Sequence, residues 1–496
     1  MPEKENQGEV STLSSAICLQ ESIEKGSIYR HEQVLWPRLV ANKLLRWPVG
    51  SNSFVTDFSC SQTSLDFIDF DRLMIPKQLV GDQKDTRKYK LFVGTWNVGG
   101  VLPSDDVSLE DWLDIHNNYY DIYVLGFQEI VPLSAKNVLG KEKMRILAQW
   151  NSLIRKTLSK FSCGLGGREG KAGEKPKVHP VKEGCSSDGG GFMTDFHCII
   201  SKLMVGVLVS VWVRHELQCY VRHPSVACVG CGIMGCLGNK GAVSARFCLH
   251  ETSFCFVCCH LASGGKEGDE MNRNSDALEI LSRTSFPRGP SLDLPQKIFN
   301  HEILQVVYYF FKKKLIRSII QFWGTECRRV ILLGDLNYRI SLPEAMTRSL
   351  VEQKQWNALF EKDQLRAEFS KGRVFEDWQE GGITFPPTYK YYPNSDDYYG
   401  CIRGQKGEKR RAPAWCDRIL WHGEGIKQKR YERCESKLSD HRPVRGIFTV
   451  NVDVPVSLNS LRRIFFSERF HSGRNGLFEK DDHSIERANH RIHYSL

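Results

Sequence analysis

RRVILLGDLNYRIS, running from Arg328 to Ser341, changes character at a single residue. Four branched apolar side chains, Val330 to Leu333, lead straight into Gly334, Asp335, Leu336 and Asn337. A short unbroken apolar run of this kind reads as a strand buried on both faces. Successive side chains of an extended segment point to opposite faces, so Asp335 and Asn337 are expected to share one face with Leu336 turned away. Two polar groups aimed together from the end of a buried strand suggest a site. An Asx turn closing the strand explains the same letters without one.

The chain as a whole narrows the classes. Its 496 residues leave room for one large domain with extensions, or for two or three smaller ones. With 41% hydrophobic and 25% charged residues the composition is that of a soluble globular protein. Met1 to Ser14 is polar and carries no apolar core, so no secretory signal is expected. The longest clean apolar run, Leu203 to Val213, is 11 residues, too short to cross a bilayer. Seventeen cysteines, an odd number, sit largely inside apolar runs such as CFVCCH (Cys255 to His260), which points to reduced thiols in the cytoplasm. Zinc is a rival at CVGCGIMGC, where Cys228, Cys231 and Cys236 fall close together, but no second CxxC or paired histidine follows at finger-like spacing. The net charge of +10 is clustered, with four cations between Lys406 and Arg411 and three from Lys312 to Lys314. Such clusters fit an anionic partner, whether nucleic acid, an acidic membrane surface or a polyphosphorylated small molecule.

No internal repeat is visible. Residues 1–85 read as an N-terminal extension whose one ordered-looking piece is LWPRLVANKLLRW (Leu35 to Trp47), either an interfacial helix or one packed on its own domain. From Lys88 strands begin: KLFVGTWNVGG is expected to break at Gly94 and DIYVLGFQEIV at Gly126, with an N-capped helix from Ser108 between them. A Gly- and Lys-rich insertion covers about 162–191. β-rich segments follow, then helical texture over His301 to Ile320 and Pro343 to Phe369, and two further strands in RILWHG and HRPVRGIFTVNV. Residues 453–496 read as a basic tail in which SLRRIFFSERF (Ser460 to Phe470) mixes cations with aromatics. Mixed strands and helices over 86–452 suggest two sheets packed face to face with helices outside.

The strand ends give a consistent set. Asn97 follows FVGTW, Glu129 follows VLGFQ, His260 follows FVCC, and Asp335 and Asn337 follow VILLG. Asp417 and Arg418 lie in PAWCDRILW, Asp440 and His441 in LSDHRPV. Any one of these is as well explained by a core histidine or a capping turn. Together they form an oxygen-rich donor set with few histidines, the preference of Mg²⁺, beside further Asp and His able to orient or deprotonate a water. That is equipment for phosphoester hydrolysis.

TWNVGG, GFQEIVPL, GNKGAV, CCHLASG, GDLNYRI, PAWCDRILW and SDHRPV, in that order, resemble the inositol polyphosphate 5-phosphatases of the DNase I-like superfamily, and LWPRLVANKLL with the mid-domain insertion resembles the plant branch of that family. The resemblance covers about Lys88 to Val452. It implies an α+β fold, a four-layer α/β/β/α sandwich of two mixed sheets, and a Mg²⁺-dependent phosphatase acting in phosphoinositide signal termination. On that resemblance Glu129 is the principal metal ligand with Asn97 beside it, and Asp440 is a metal ligand or a carboxylate behind the ligands. Asp335 orients or deprotonates the attacking water, Asn337 binds the scissile phosphate, His260 and His441 hold it, and Asp417 fixes the tautomer of an imidazole, His441 first. GNKGAV (Gly238 to Val243) lacks the spacing of a Walker loop and is expected only to let backbone pass near the site.

Substrate choice is expected in PTYKYYPNSDDYYGCIRGQKGEKRRAPAWCDR, where the resemblance places Tyr389, Lys390, Lys409 and Arg411, with Arg418, around the phosphate next to the one removed. Lys406 and Lys409 are interchangeable in that reading. The implied substrates are inositol 1,4,5-trisphosphate, inositol 1,3,4,5-tetrakisphosphate and the matching phosphoinositide lipids, with peripheral contact to anionic membrane and no nucleic acid. A nuclease on the same fold leaves TYKYY and PAWCDR unexplained, and a non-catalytic binding scaffold predicts a lost catalytic position that the sequence does not show.

Overall fold

A computed structural model of the chain describes residues 53–57, 85–104, 107–116, 118–131, 142–164, 196–232, 240–288, 294–298, 329–400 and 411–454. Twelve strands form among them: β1 (Asp85–Asn97), β2 (Ile122–Gln128), β3 (Phe196–Met204), β4 (Val207–Arg214), β5 (Val221–Gly230), β6 (Gly241–Leu249), β7 (Thr252–His260), β8 (Arg329–Asp335), β9 (Gln379–Glu380), β10 (Asp417–His422), β11 (Ile426–Arg433) and β12 (Val444–Val454). One six-stranded sheet runs β11-β12-β1-β2-β4-β3 and the other β5-β6-β7-β8-β10-β9. Both are mixed: β1 pairs with β2, and β7 with β8, in parallel, and the remaining pairings are antiparallel.

The expectation for β8 holds residue by residue. Every position from Arg329 to Asp335 is buried. Ile331 and Leu333 point into the core between the sheets, against Leu91, Val93, Val124 and Phe256. Val330 and Leu332 point the other way, against Ala277 and Ile280 of α3 (Asp269–Arg283). On the far side of the first sheet, Phe92, Tyr123 and Phe127 pack on Trp112 of α1 (Glu110–Leu113) and Trp150 of α2 (Glu142–Gly164). The helices α4 (Glu344–Glu352), α5 (Trp356–Phe360) and α6 (Gln364–Ser370) fill the Pro343 to Phe369 stretch. Three apolar seams separate four layers, helix, sheet, sheet, helix.

Gly94 and Gly126 do not end their strands, as the sequence led one to expect; β1 runs on to Asn97 and β2 to Gln128. A Cβ on Gly94 would lie 2.7 Å from the Trp112 ring, and one on Gly126 would lie 2.7 Å from Cys258 Sγ in the opposite sheet. These glycines let layers approach. The helix expected from Ser108 is also shorter: Ser108 Oγ accepts from Glu110 N at 3.4 Å, but Asp114 turns left-handed at φ 54° and closes the helix after one turn. Its carboxylate then takes the Tyr120 hydroxyl and the Asn118 amide, each at 2.7 Å.

No disulfide joins the described cysteines. The zinc rival fails on direction, because Cys228 packs toward the core between the sheets while Cys231 packs toward the outer seam under α3. Residues 53–57, from the N-terminal extension, lie against the domain. Val55 bridges Ser201 on the edge strand β3, and Asp57 binds Arg155 of α2 through both carboxylate oxygens at 2.7 and 3.0 Å. Leu35 to Trp47, the insertion from residue 165 on, Cys236, His301 to Ile320, Lys312 to Lys314, Lys406, Lys409 and the tail from residue 455 lie outside the described residues. No helix among the described residues is long and apolar enough to cross a membrane.

Candidate active site

The strand ends expected to meet do meet. On β1, β7, β8 and β10 the residues Asn97, His260, Asp335 and Asp417 carry the same parity as the side chains that fill the core between the sheets, so all four project into the mouth of that seam. Register brings them level: His260 stands opposite Asp335 on β7 and β8, and Asp335 opposite Asp417 on β8 and β10. Asn97 comes from the facing sheet, and its Nδ2 donates to Asp335 Oδ2 at 3.0 Å.

Asp335 is the hub. Its Oδ2 lies 3.3 Å from His260 Nε2 and 3.9 Å from His441 Nε2, and its Oδ1 accepts the Asn337 backbone N–H at 3.1 Å. That last bond is an Asx turn, so the two readings of GDLN are one structure: the turn builds the site. Asn337 does not share a strand face with Asp335 by alternation, since β8 ends at Asp335 and Asn337 turns left-handed at φ 59°. Its Nδ2 donates to Leu261 O at 3.1 Å and its Oδ1 accepts from Arg339 at 2.6 Å, which fixes the amide's orientation.

His441 Nδ1 donates to Asp417 Oδ2 at 2.8 Å, leaving Nε2 toward Asp335. Asp417 Oδ2 also takes the Thr388 hydroxyl at 2.6 Å. The turn that carries His441 is tied to β1, because Ser439 Oγ donates to Asn97 O at 2.7 Å and accepts the His441 N–H at 3.1 Å. Tyr389 packs its ring 4.6 Å from the His441 ring, and the Arg339 guanidinium lies 4.7 Å from the Tyr389 ring. Lys390 Nζ reaches Asp440 Oδ2 at 2.5 Å. Glu129, at the end of β2, turns left-handed at φ 56° and brings a carboxylate oxygen to 3.7 Å from His260 Nε2, with 30% of its side chain exposed.

The two histidines carry opposite electrostatics. Burial opposes charge on His441, but the carboxylates of Asp417 and Asp335 outweigh it and raise its pKa to about 9. Burial and the neighbouring Lys240 push His260 below the usual histidine range. Burial alone would raise Asp335; the hydrogen bond from His260 and the charge of His441 hold it well below the usual carboxylate range. Burial pushes Asp417 up, with His441 pulling it back. Asp335 is thus an anion between a cationic and a neutral imidazole at neutral pH.

Two further expectations need correcting. GNKGAV does more than pass backbone: its Lys240, half-buried, sets Nζ against His260 Nε2, with burial drawing its pKa down. Arg418 does not face the site. It has no exposed surface, and its guanidinium is held by Glu380 at 2.6 Å on each of two nitrogens and by Asp363 at 3.0 Å. Next to Asp417 on a strand, it points to the opposite face. Thr388, Ser439, Arg339 and Lys240 were not singled out from the sequence as members of this site. Arg339, two residues past Asn337, and Ser439, beside Asp440, were readable by proximity; Thr388 and Lys240 gain meaning only from tertiary packing.

Asp335, Asp417 and His441 lie close enough together to suggest a metal cluster, but His441 Nδ1 and Asp417 are hydrogen-bonded partners, with Thr388 closing the carboxylate. Glu129 and Asp335 bring carboxylate oxygens to the mouth, which suits a hard divalent cation, while Asn97 turns its amide nitrogen to Asp335 and its Oδ1 accepts the Gly99 N–H at 3.0 Å. Asp440 is paired to Lys390 and to Ser439, whose hydroxyl is 3.2 Å from its other oxygen.

The model of endonuclease/exonuclease/phosphatase family 2 matches residues 94–447. Over 452 residues the chain is 52% identical to the type IV inositol polyphosphate 5-phosphatase 9 of Arabidopsis thaliana, covering 90% of this chain and 99% of that protein. It is 42% identical over 451 residues to the type I inositol polyphosphate 5-phosphatase 8 of the same plant, covering 84% and 86%. Among solved structures it resembles the inositol polyphosphate 5-phosphatase domain of spSynaptojanin in complex with inositol (1,4)-bisphosphate and calcium ion. That match has a TM-score of 0.56 and 29% identity, over 78% of this chain and 91% of that one.

Proposed function

This chain belongs to the inositol polyphosphate 5-phosphatases, hydrolases on a DNase I-like α+β sandwich, and from that we propose that it removes the 5-phosphate of inositol 1,4,5-trisphosphate and 1,3,4,5-tetrakisphosphate, and of the phosphatidylinositol 4,5-bisphosphate and 3,4,5-trisphosphate head groups, by Mg²⁺-assisted attack of water on phosphorus. One observation carries the reading: Asp335 sits 3.0 Å from Asn97 and 3.3 Å from His260, with His441 at 3.9 Å, at the mouth between the sheets. The neighbour's inositol (1,4)-bisphosphate supports it, being what the 1,4,5-trisphosphate becomes on losing its 5-phosphate.

Glu129, with Asn97 beside it, would hold Mg²⁺; Asp440 is paired to Lys390 and meets Asn97 through the Ser439 hydroxyl. When bound, the ion would offset negative charge building up on the transferring phosphate. The chain's own residues do the rest. Asp335, held anionic by its histidines, accepts a hydrogen bond from the attacking water and so orients it; a carboxylate held that low is a weak base. The His441 cation, its ring oriented by the Nδ1–H bond to Asp417, meets the charge that develops on phosphate. Asn337, its amide fixed by Leu261 and Arg339, would bind the same group, and Lys240 adds a cation beside His260 Nε2. Lys390, with Tyr389 and Arg411, faces the neighbouring phosphate, for which arginine and lysine are suited.

The test is phosphate release from inositol 1,4,5-trisphosphate by the purified chain with Mg²⁺, with plasmid DNA as the competing substrate. Release that stops in Asp335→Ala supports the reading. Nicking of DNA without phosphate release would refute it.

A further inference from the structure

Lys390 and Arg411 are held in place by a third cation that faces neither of their roles. Arg348 on α4 has 15% of its side chain exposed. Its Nη2 donates to the carbonyl of Tyr399 at 2.6 Å and to the carbonyl of Arg411 at 2.9 Å. Its Nε is anchored on Glu344, one turn earlier on the same helix, at 2.8 Å. Tyr399 passes the constraint on: its N–H donates to Lys390 O at 2.7 Å, and its ring lies 5.2 Å from Lys390 Nζ. One guanidinium therefore fixes, through two carbonyls, the backbone of both cations proposed to face the phosphate beside the scissile one.

We propose that Arg348 is a positioning residue that sets specificity for a substrate carrying a phosphate next to the scissile one, through the placement of Lys390 and Arg411. The proposal rests on the phosphatase reading. Arg348 touches no reacting atom. It supplies a planar fork on a packed helix, which a flexible ammonium does not replace, and holding binding groups in place is worth rate when the substrate uses them.

The experiment measures kcat and KM of the full chain, with Mg²⁺, on inositol 1,4,5-trisphosphate and on inositol 1,5-bisphosphate, which lacks the neighbouring phosphate. Arg348→Met should cost roughly tenfold to a hundredfold in kcat/KM on the trisphosphate, mostly through KM, and less than about threefold on the bisphosphate. Glu344→Gln, which loosens the anchor and leaves both carbonyl bonds possible, should show the same substrate dependence at smaller size, and it carries the comparison if Arg348→Met melts below the assay temperature. An equal loss on both substrates, or no loss on either, overturns the proposal. A wild-type chain inactive on both overturns the phosphatase reading itself, a result visible before any variant is made.

Discussion

At the scale of single residues the site is a contest of burial against partners, and His441 shows which wins. Its raised pKa of about 9 means the imidazolium persists through neutral pH and loses its proton only as pH climbs past that value. For a histidine whose folded pKa lies above the unfolded one, the linked stability is present below the ordinary histidine value and disappears as pH rises through about 9. The kcat/KM profile of the wild-type chain should therefore fall on its alkaline side near there, and Asp417→Asn should move that limb to lower pH while cutting the plateau by at least about tenfold. An unmoved limb in Asp417→Asn would detach His441 from the profile. Arg418, one residue along, makes the opposite prediction. Arg418→Met leaves Asp363 and Glu380 buried without their cation, at a cost of about 3–5 kcal/mol read as a fall in melting temperature, with KM unchanged below it. The sequence allowed this distinction. Neighbours on a strand face opposite ways, and reading Arg418 with Asp417 ignored that period. Lys240 was not readable in the same sense, because its position against His260 depends on how β6 and β7 pair.

At the scale of elements, strand ends were legible and strand continuity was not. Apolar runs terminating in Asn97, Glu129, His260 and Asp335 marked the correct edge of the sandwich, since a side chain that leaves a buried strand with a polar head has few reasons to be there. The glycines misled, because glycine serves both turns and tight packing, and nothing local distinguishes them. Gly126 is informative here. A methyl at this position would press on Cys258 and Leu333 across the seam, so Gly126→Ala should destabilise by about 1–3 kcal/mol, measured by chemical denaturation. The same seam sets the separation of Asn97 from Asp335, so the variant should also lose activity at temperatures where it remains folded. Full activity in a folded Gly126→Ala would show that the layers adjust independently of the site.

At the scale of the whole molecule, two sheets each deliver one part of a shared mouth: the first brings Asn97 and Glu129, the second His260, Asp335 and Asp417. Neither half is a site without the other, which is why single motifs in the sequence were ambiguous and their order was not. Substrate choice operates at this scale too. The rate on vesicles of phosphatidylinositol 4,5-bisphosphate relative to soluble trisphosphate, measured at matched accessible concentration, should drop in raised salt if the net charge of +10 draws the chain to anionic lipid, while the soluble rate changes less. Equal salt sensitivity on both would remove surface attraction from the account.

The short piece at residues 53–57 has a consequence for handling the protein. By bridging Ser201 and clasping Arg155, it covers part of a β3 margin that otherwise presents open amides and carbonyls. A polypeptide trimmed to start at Asp85 would bare that margin, and two such copies offer each other the missing partner. Trimming should show itself as rising light scatter on warming before any loss of hydrolytic competence, and Arg155→Ala in the untrimmed chain should do the same more mildly.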